Sequence, residues 1–193
     1  EHKYDGFRVV INKDEKGNVN LFTRRLDNVT KQFPDVVAVV KKQIKAKSFI
    51  LDTEVVGYDS LKKKYLPFEA VSQRIRRKHG IEDLKKKLPV EINVFDIMYL
   101  DGESVTNLSF EKRRELLERV VKSERWKVRL SKKFVSDSEE EIQKFYEEAL
   151  RIGEEGVMMK NLKAHYKPGR RVGYMVKMKP DAKDLDLVIV GAE

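Results

Sequence analysis

The segment Phe49-Ile50-Leu51-Asp52-Thr53-Glu54-Val55-Val56 is a core strand with two carboxylates set into it. A fold that buries this strand must bring something to Glu54. A metal, a ligand hydroxyl or the cation of a buried salt bridge would each serve. A second run, residues 90–100, alternates at first and is then apolar on both faces, as in a strand covered on two sides. Around these, strands and helices mix without strict alternation. Residues 4–11 and 18–23 predict two strands joined through Asp14-Glu15-Lys16-Gly17. Pro34 opens a helix with Val36, Val37, Val40 and Ile44 on its apolar face. Residues 68–78 predict a strongly basic helix.

Ser109 caps a helix running to about Lys122, with Phe110, Leu116, Leu117, Val120 and Val121 inward. Residues 126–135 predict a strand. Ser136 and Glu139 form a capping-box pattern before a helix that carries Ile142, Phe145, Tyr146, Ala149 and Leu150 on one face and stops at Gly153. Residues 156–162 and 174–179 predict strands around Lys167-Pro168-Gly169. This pattern implies an α+β fold with largely antiparallel sheets.

The residues that carry chemistry begin with Lys3-Tyr4-Asp5-Gly6-Phe7-Arg8. A lysine amine attacks phosphorus only where burial or a neighbouring cation lowers its pKa. Gly6 allows a close approach of backbone or ligand, and Arg8 offers a planar fork for phosphate or ribose. Further along come Glu54, then Phe95 in Val94-Phe95-Asp96-Ile97, then Glu155-Gly156-Val157-Met158-Met159-Lys160, then Tyr174-Met175-Val176-Lys177-Met178-Lys179. Lys177 and Lys179 are two apart on a strand, so both ammonium groups face one side. Lys160 and Arg171 are further candidates for phosphate or nucleic-acid contacts.

A chain of 193 residues can bury one sizeable core. It has no cysteine, which excludes disulfides and thiolate zinc sites. No run of about 18 apolar residues predicts a membrane span, and no leader precedes Lys3, so a cytoplasmic location is expected. Lys and Arg number 41 against 32 Asp and Glu, a net charge of +9 that suits a polyanionic partner. Basic clusters lie at residues 62–64, 74–78, 85–87 and 167–171. Charged residues at 38% suit a thermophile.

In order and spacing these motifs resemble the nucleotidyltransferase domain of ATP-dependent DNA ligases of archaeal type, within the covalent nucleotidyltransferases. The resemblance spans residue 1 to about residue 179. It implies two largely antiparallel sheets flanked by helices, with a nucleotide cleft between them. It implies that Lys3 forms a lysyl-AMP from ATP, that AMP passes to the 5′-phosphate of nicked double-stranded DNA, and that a 3′-hydroxyl then seals the nick in replication and repair. The cofactors implied are ATP and Mg2+ or Mn2+. By resemblance, Glu1 contacts the adenine amino group and Phe95 stacks on the base. Arg8 and Arg24 lie near ribose and phosphates, Glu54 binds ribose or metal, Glu155 binds metal, and Lys177 and Lys179 bind the phosphates. Two departures are Met175, where many members have Trp, and Thr53, where many have Gly.

Residues 1–184 are then expected to be the adenylation domain, and 185–193 a stub of a following OB-fold domain that is absent. A DNA-binding domain that usually precedes the lysine motif is absent too, and a sliding clamp would bind through that missing region. The fragment is expected to be monomeric and weak or inactive in complete ligation. RNA ligases and GTP-using capping enzymes share Lys-x-Asp-Gly and remain alternatives. A non-catalytic nucleic-acid-binding module accounts for the charge but gives no reason for Lys3, Glu54, Glu155, Lys177 and Lys179 together.

Overall fold

The computed structural model describes residues 1–169 and 174–180. Arg171 and the expected stub at 185–193 lie outside the described residues. Strands β1 (His2–Lys3), β9 (Gly156–Lys160) and β10 (Met175–Met178) form a small antiparallel sheet in the order β1-β9-β10. The larger sheet has seven strands. Its main path is β3 (Val19–Thr23), β2 (Phe7–Lys13), β4 (Phe49–Asp59), β6 (Val90–Leu100) and β7 (Glu103–Ser104). Strand β5 (Lys64–Tyr65) adds to β4, and β8 (Val128–Leu130) lies parallel to β6. The other pairings of both sheets are antiparallel. The helices are α1 (Pro34–Gln43), α2 (Phe68–Ile75), α3 (Ile81–Lys87), α4 (Phe110–Val120) and α5 (Glu139–Arg151). The expected α+β architecture is the observed one.

Alternation explains where the core lies. In β2 and β4, Val9, Ile11, Leu51 and Val55 point to one face and are fully buried there. They pack with Val36 and Val40 of α1 and Leu117 of α4 in one continuous core. The opposite face of the sheet carries Arg8 of β2, Asp52 and Glu54 of β4 and Asn93 of β6, and it looks toward the small sheet. Helix α5 covers the far side of the small sheet, where Tyr146 and Ala149 pack on Val157.

Two bulges interrupt the β4–β6 ladder. Thr53 pairs with Val94 and Asp52 with Asp96, so Phe95 is an extra residue on β6. Leu51 pairs with Ile97 and Ile50 with Tyr99, which leaves out Met98. A bulge re-aims the side chain it carries, and Phe95 is directed over the polar face without a partner across the strand.

Several local expectations are corrected. The strand expected at 126–135 is only β8, because Trp126 adopts a left-handed φ of 66° and its N–H donates to Glu91 Oε2 at 2.6 Å. The cap of α5 is Ser138, which accepts from Glu141 N at 3.4 Å; Ser136 instead donates to the Glu141 carboxylate at 2.5 Å. Helix α3 escapes the periodicity argument because it is only seven residues long. The basic cluster at 74–78 is partly internal. Arg74 is 1% exposed, bonds both oxygens of Asp35 at 2.6 and 3.0 Å, and lies over the Phe33 ring.

Gly156 decides how tightly the small sheet closes. Its φ is +137°, and a Cβ there would lie 2.1 Å from the Met178 carbonyl oxygen and 3.3 Å from Lys179 Cα. The space is therefore taken by β10. Gly156→Ala should separate β10 from β9 and cost more than about 1 kcal/mol, since alanine gains nothing where φ is positive. Thermal unfolding measures the cost. A variant that melts with the parent would show that β10 packs elsewhere in solution.

Candidate active site

Strand register assembles the site from two rows of residues, one on each sheet. In the small sheet Lys3 pairs with Gly156, and Met178 pairs with Val157, so Lys179 follows beside Gly156 on the other edge. Lys3 and Lys179 thus flank one glycine. Glu155 lies between their ammonium groups: it pairs with Lys3 Nζ, and its Oε2 is 3.3 Å from Lys179 Nζ. Its backbone N–H also donates to the Lys3 carbonyl at 3.0 Å. Lys177 stands opposite Met158, exposed and with no ion pair among the described residues.

The facing row crosses four strands of the large sheet. Arg8 of β2 pairs with Glu54 of β4, Glu54 with Asn93 of β6, and Asn93 with Arg129 of β8. Arg8 is clamped by Asp52 through two 2.7 Å bonds and also donates to the Tyr166 hydroxyl at 3.1 Å. Its Nη1 makes no hydrogen bond among the described residues and stays available. Arg129 is held by Glu91, which also accepts from Tyr65 at 2.9 Å. Glu54 has neither an ion pair nor a hydrogen bond among the described residues. Burial pushes its pKa up to about 7; Lys3 opposes that rise and Asp52 adds to it.

Lys3 is held below the usual lysine range, first by burial and then by the Lys179 ammonium, with Lys177 adding to it and Glu54 and Asp5 opposing. Contact with Glu155 also favours the ammonium form. Burial and Lys179 thus favour the neutral amine, and Glu155 opposes them.

The other expected site residues divide. Glu1 is well anchored: its backbone pairs with Met158, and its carboxylate accepts from Arg114 at 3.1 Å and pairs with Lys160. Phe95 lies at the same end of the cleft, with the Lys160 ammonium 5.0 Å from its ring centre. Gly6 serves a close backbone approach, since a Cβ there would lie 2.4 Å from the Val55 carbonyl oxygen. Arg24 is exposed on the turn after β3. Thr23 pairs with Val9, so Arg24 ends its strand beside Arg8, but it has no ion pair among the described residues.

Comparison with known proteins gives the same assignment. The family model described as the ATP dependent DNA ligase domain matches residues 1–179. The chain belongs to the ATP-dependent DNA ligase domain family. It is 50% identical to a DNA ligase of Nanoarchaeum equitans over 194 residues, and 42% identical to DNA ligases of Thermococcus onnurineus and Archaeoglobus fulgidus over 193. Each comparison covers 100% of this chain and 34% of the relative, so the chain spans about a third of their length. Among solved structures, mycobacterial DNA ligase D complexed with ATP and MES superposes with a TM-score of 0.68 at 26% identity, over 93% of this chain and 53% of that one. A Chlorella virus DNA ligase-adenylate shares the fold, with a TM-score of 0.64 at 16% identity over 92% of this chain and 60% of that one.

Within that family frame the site has a mixed capacity for metal. No group of three or more His, Asp or Glu side chains able to hold an ion is found among the described residues. Glu54 and Glu155, both near Lys3, leave a donor set of two carboxylates. That suits a Mg2+-like ion, which keeps several waters and takes phosphate oxygens as further ligands. Among the described residues, no helix is long and apolar enough to cross a membrane.

The raised Glu54 pKa has a consequence for stability. A carboxyl with a folded pKa of about 7 against an ordinary value of 4.5 binds its proton more tightly when folded. Stability from this group is therefore full below pH 4.5 and is lost as pH rises through about 7. Glu154, pushed by burial to about 8, acts with the same sign. Glu54→Gln should melt above the parent at about pH 8, with the gap closing towards about pH 5. Calorimetry at the two pH values tests this, and a gap independent of pH would contradict an unpaired Glu54.

Proposed function

We propose that this chain is the adenylation domain of an ATP-dependent DNA ligase and that Lys3 is the residue adenylylated. The observation that carries this reading is the convergence on Lys3 of Glu155, Lys179 and Glu54 from two facing sheets. Lys3 Nζ, once deprotonated, attacks the α-phosphorus of ATP. The bond to the bridging oxygen breaks, pyrophosphate leaves, and the amine loses its remaining extra proton to give a phosphoramide. Negative charge grows on the phosphoryl oxygens, and Lys179 and Lys177 line the side on which it grows.

Glu155 and Glu54 would hold Mg2+ or Mn2+, which supplies neutralisation of phosphate charge when bound. With Glu155 so engaged, the Lys3 ammonium would lose its ion pair, leaving burial and Lys179 to favour the neutral amine. Glu1 and Phe95 serve the adenine at its edge and face. Arg8, through Nη1, and Glu54 serve the ribose, and Arg24 approaches from the neighbouring strand end. AMP would then pass to the 5′-phosphate of nicked double-stranded DNA. The sealing step, the contribution of an OB-fold domain beyond residue 184 and of a DNA-binding domain before residue 1, and any clamp partner are proposals about the longer protein.

Incubation with ATP or GTP followed by intact mass spectrometry tests the central claim. The parent should gain AMP from ATP and nothing from GTP. Lys3→Ala and Lys3→Arg should both lose the adduct while melting with the parent, since guanidinium is not nucleophilic near neutral pH. An adduct that survives Lys3→Ala would remove the assignment. Glu155→Gln should slow adduct formation far more than it moves the melting temperature, whereas a collapse of stability with activity intact would make Glu155 structural. Nick sealing by this chain should fall far below that of a version extended to the relatives' full length. Lost orientation can raise a barrier by roughly 7 kcal/mol, and equal rates would show these 193 residues to be sufficient.

A further inference from the structure

Lys160 is a basic residue near a cleft that reads phosphate, and from sequence it is a candidate for phosphate or DNA. Its surroundings point elsewhere. Its side chain is 7% exposed and paired with the Glu1 carboxylate, itself 5% exposed. The ammonium lies 5.0 Å from the centre of the Phe95 ring and 4.6 Å from that of Phe110. Arg114, 7% exposed, takes the other Glu1 oxygen at 3.1 Å and donates to the Ser131 carbonyl at 2.9 Å. Glu155, Lys3 and Lys179 gather at the opposite end of β9, four to five residues away along the strand. No ion pair among the described residues links Lys160 to that end.

We propose that Lys160 is a positioning residue for the base: with Arg114 it fixes the Glu1 carboxylate as a hydrogen-bond acceptor beside Phe95, and so favours a 6-amino over a 6-oxo purine. The proposal rests on the reading of Glu1 and Phe95 as the adenine contacts. A carboxylate paired with two buried cations presents only acceptor oxygens to a ligand. Each of its oxygens keeps a second lone pair after binding Lys160 or Arg114, and an exocyclic amine can donate to it. A 6-oxo group offers an acceptor at the same place and meets repulsion. Because Lys160 also rests on the two aromatic rings, it ties the acceptor at the base edge to the platform under the base face.

The test compares affinities of the 193-residue chain for AMP, ATP and inosine monophosphate by calorimetry. Lys160→Met should weaken AMP and ATP by the same factor, roughly tenfold for one charge-assisted contact, and should lower the ratio of AMP to inosine monophosphate affinity. Lys160→Arg should restore much of that ratio, and thermal melting confirms that each variant is folded. Lys177→Met provides the contrast, with a loss for ATP that exceeds the loss for AMP. A Lys160→Met loss that grows with phosphate number would place Lys160 with the phosphates and overturn the proposal. An unchanged purine ratio would overturn it too. If the parent does not distinguish AMP from inosine monophosphate, the adenine reading of Glu1 itself fails, and this inference falls with it.

Discussion

The site depends on a carboxylate caught between two ammonium groups. Lys3 and Lys179 come from strands at opposite ends of the sequence, and they can share one side of the small sheet only if their repulsion is offset. Glu155 does this, pairing with Lys3 and lying 3.3 Å from Lys179. The arrangement also demands that β10 sit against Gly156, where any side chain would strike the Met178 carbonyl. Charge balance and strand packing are thus joined in two consecutive residues. A triphosphate entering this place would meet cations already oriented, with a carboxylate free to turn toward a metal.

The large sheet supplies the contrast. Asp52 and Glu54 are two apart on β4 and share its polar face, yet their states differ. Asp52 is fully buried and saturated by Arg8 and Tyr166. Glu54 has Arg8 beside it in register, but that guanidinium is already turned to Asp52. The strand therefore carries one acid that holds the sheet together and one left with its charge unsatisfied. A buried acid without a partner is costly, and such cost concentrates where a ligand or ion is to be met.

Much of this was legible from residues alone, for a physical reason. Charged groups stand out in apolar strands, and Lys3, Glu54, Glu155 and Lys179 sit in short motifs whose strand context reads from alternation. The boundaries of β6 and the start of α1 follow from apolar runs and from proline. What escaped depends on tertiary partners. Nothing local distinguishes Asp52 as the clamp of Arg8, Tyr166 as its third member, or Arg114 as the neighbour of Glu1. Phe95 reads as an ordinary inward residue until the pairing of Thr53 with Val94 and Asp52 with Asp96 leaves it over. The strand expected at 126–135 failed because Trp126 takes a left-handed turn to reach Glu91, a partner 35 residues away.

Charge needs the same division between inside and outside. The net +9 suits a polyanionic partner, but not every cation contributes to a surface field. Arg74, Arg113 and Arg114 are buried on Asp35, Asp96 and Glu1, so they act as ties between elements. Within the basic clusters the exposed cations are Lys62 to Lys64 at β5, Arg76 to Lys78 after α2, Lys86 and Lys87 at the end of α3, and Lys167. These are long, solvated side chains on turns and helix ends, suited to salt-sensitive attraction of a phosphate backbone over distances near the Debye length. Lys3, Lys160 and Lys179 act at contact distance on partners already in place. The fold thus keeps two populations of cations apart, one solvated at the surface and one held by the Glu1 and Glu155 carboxylates.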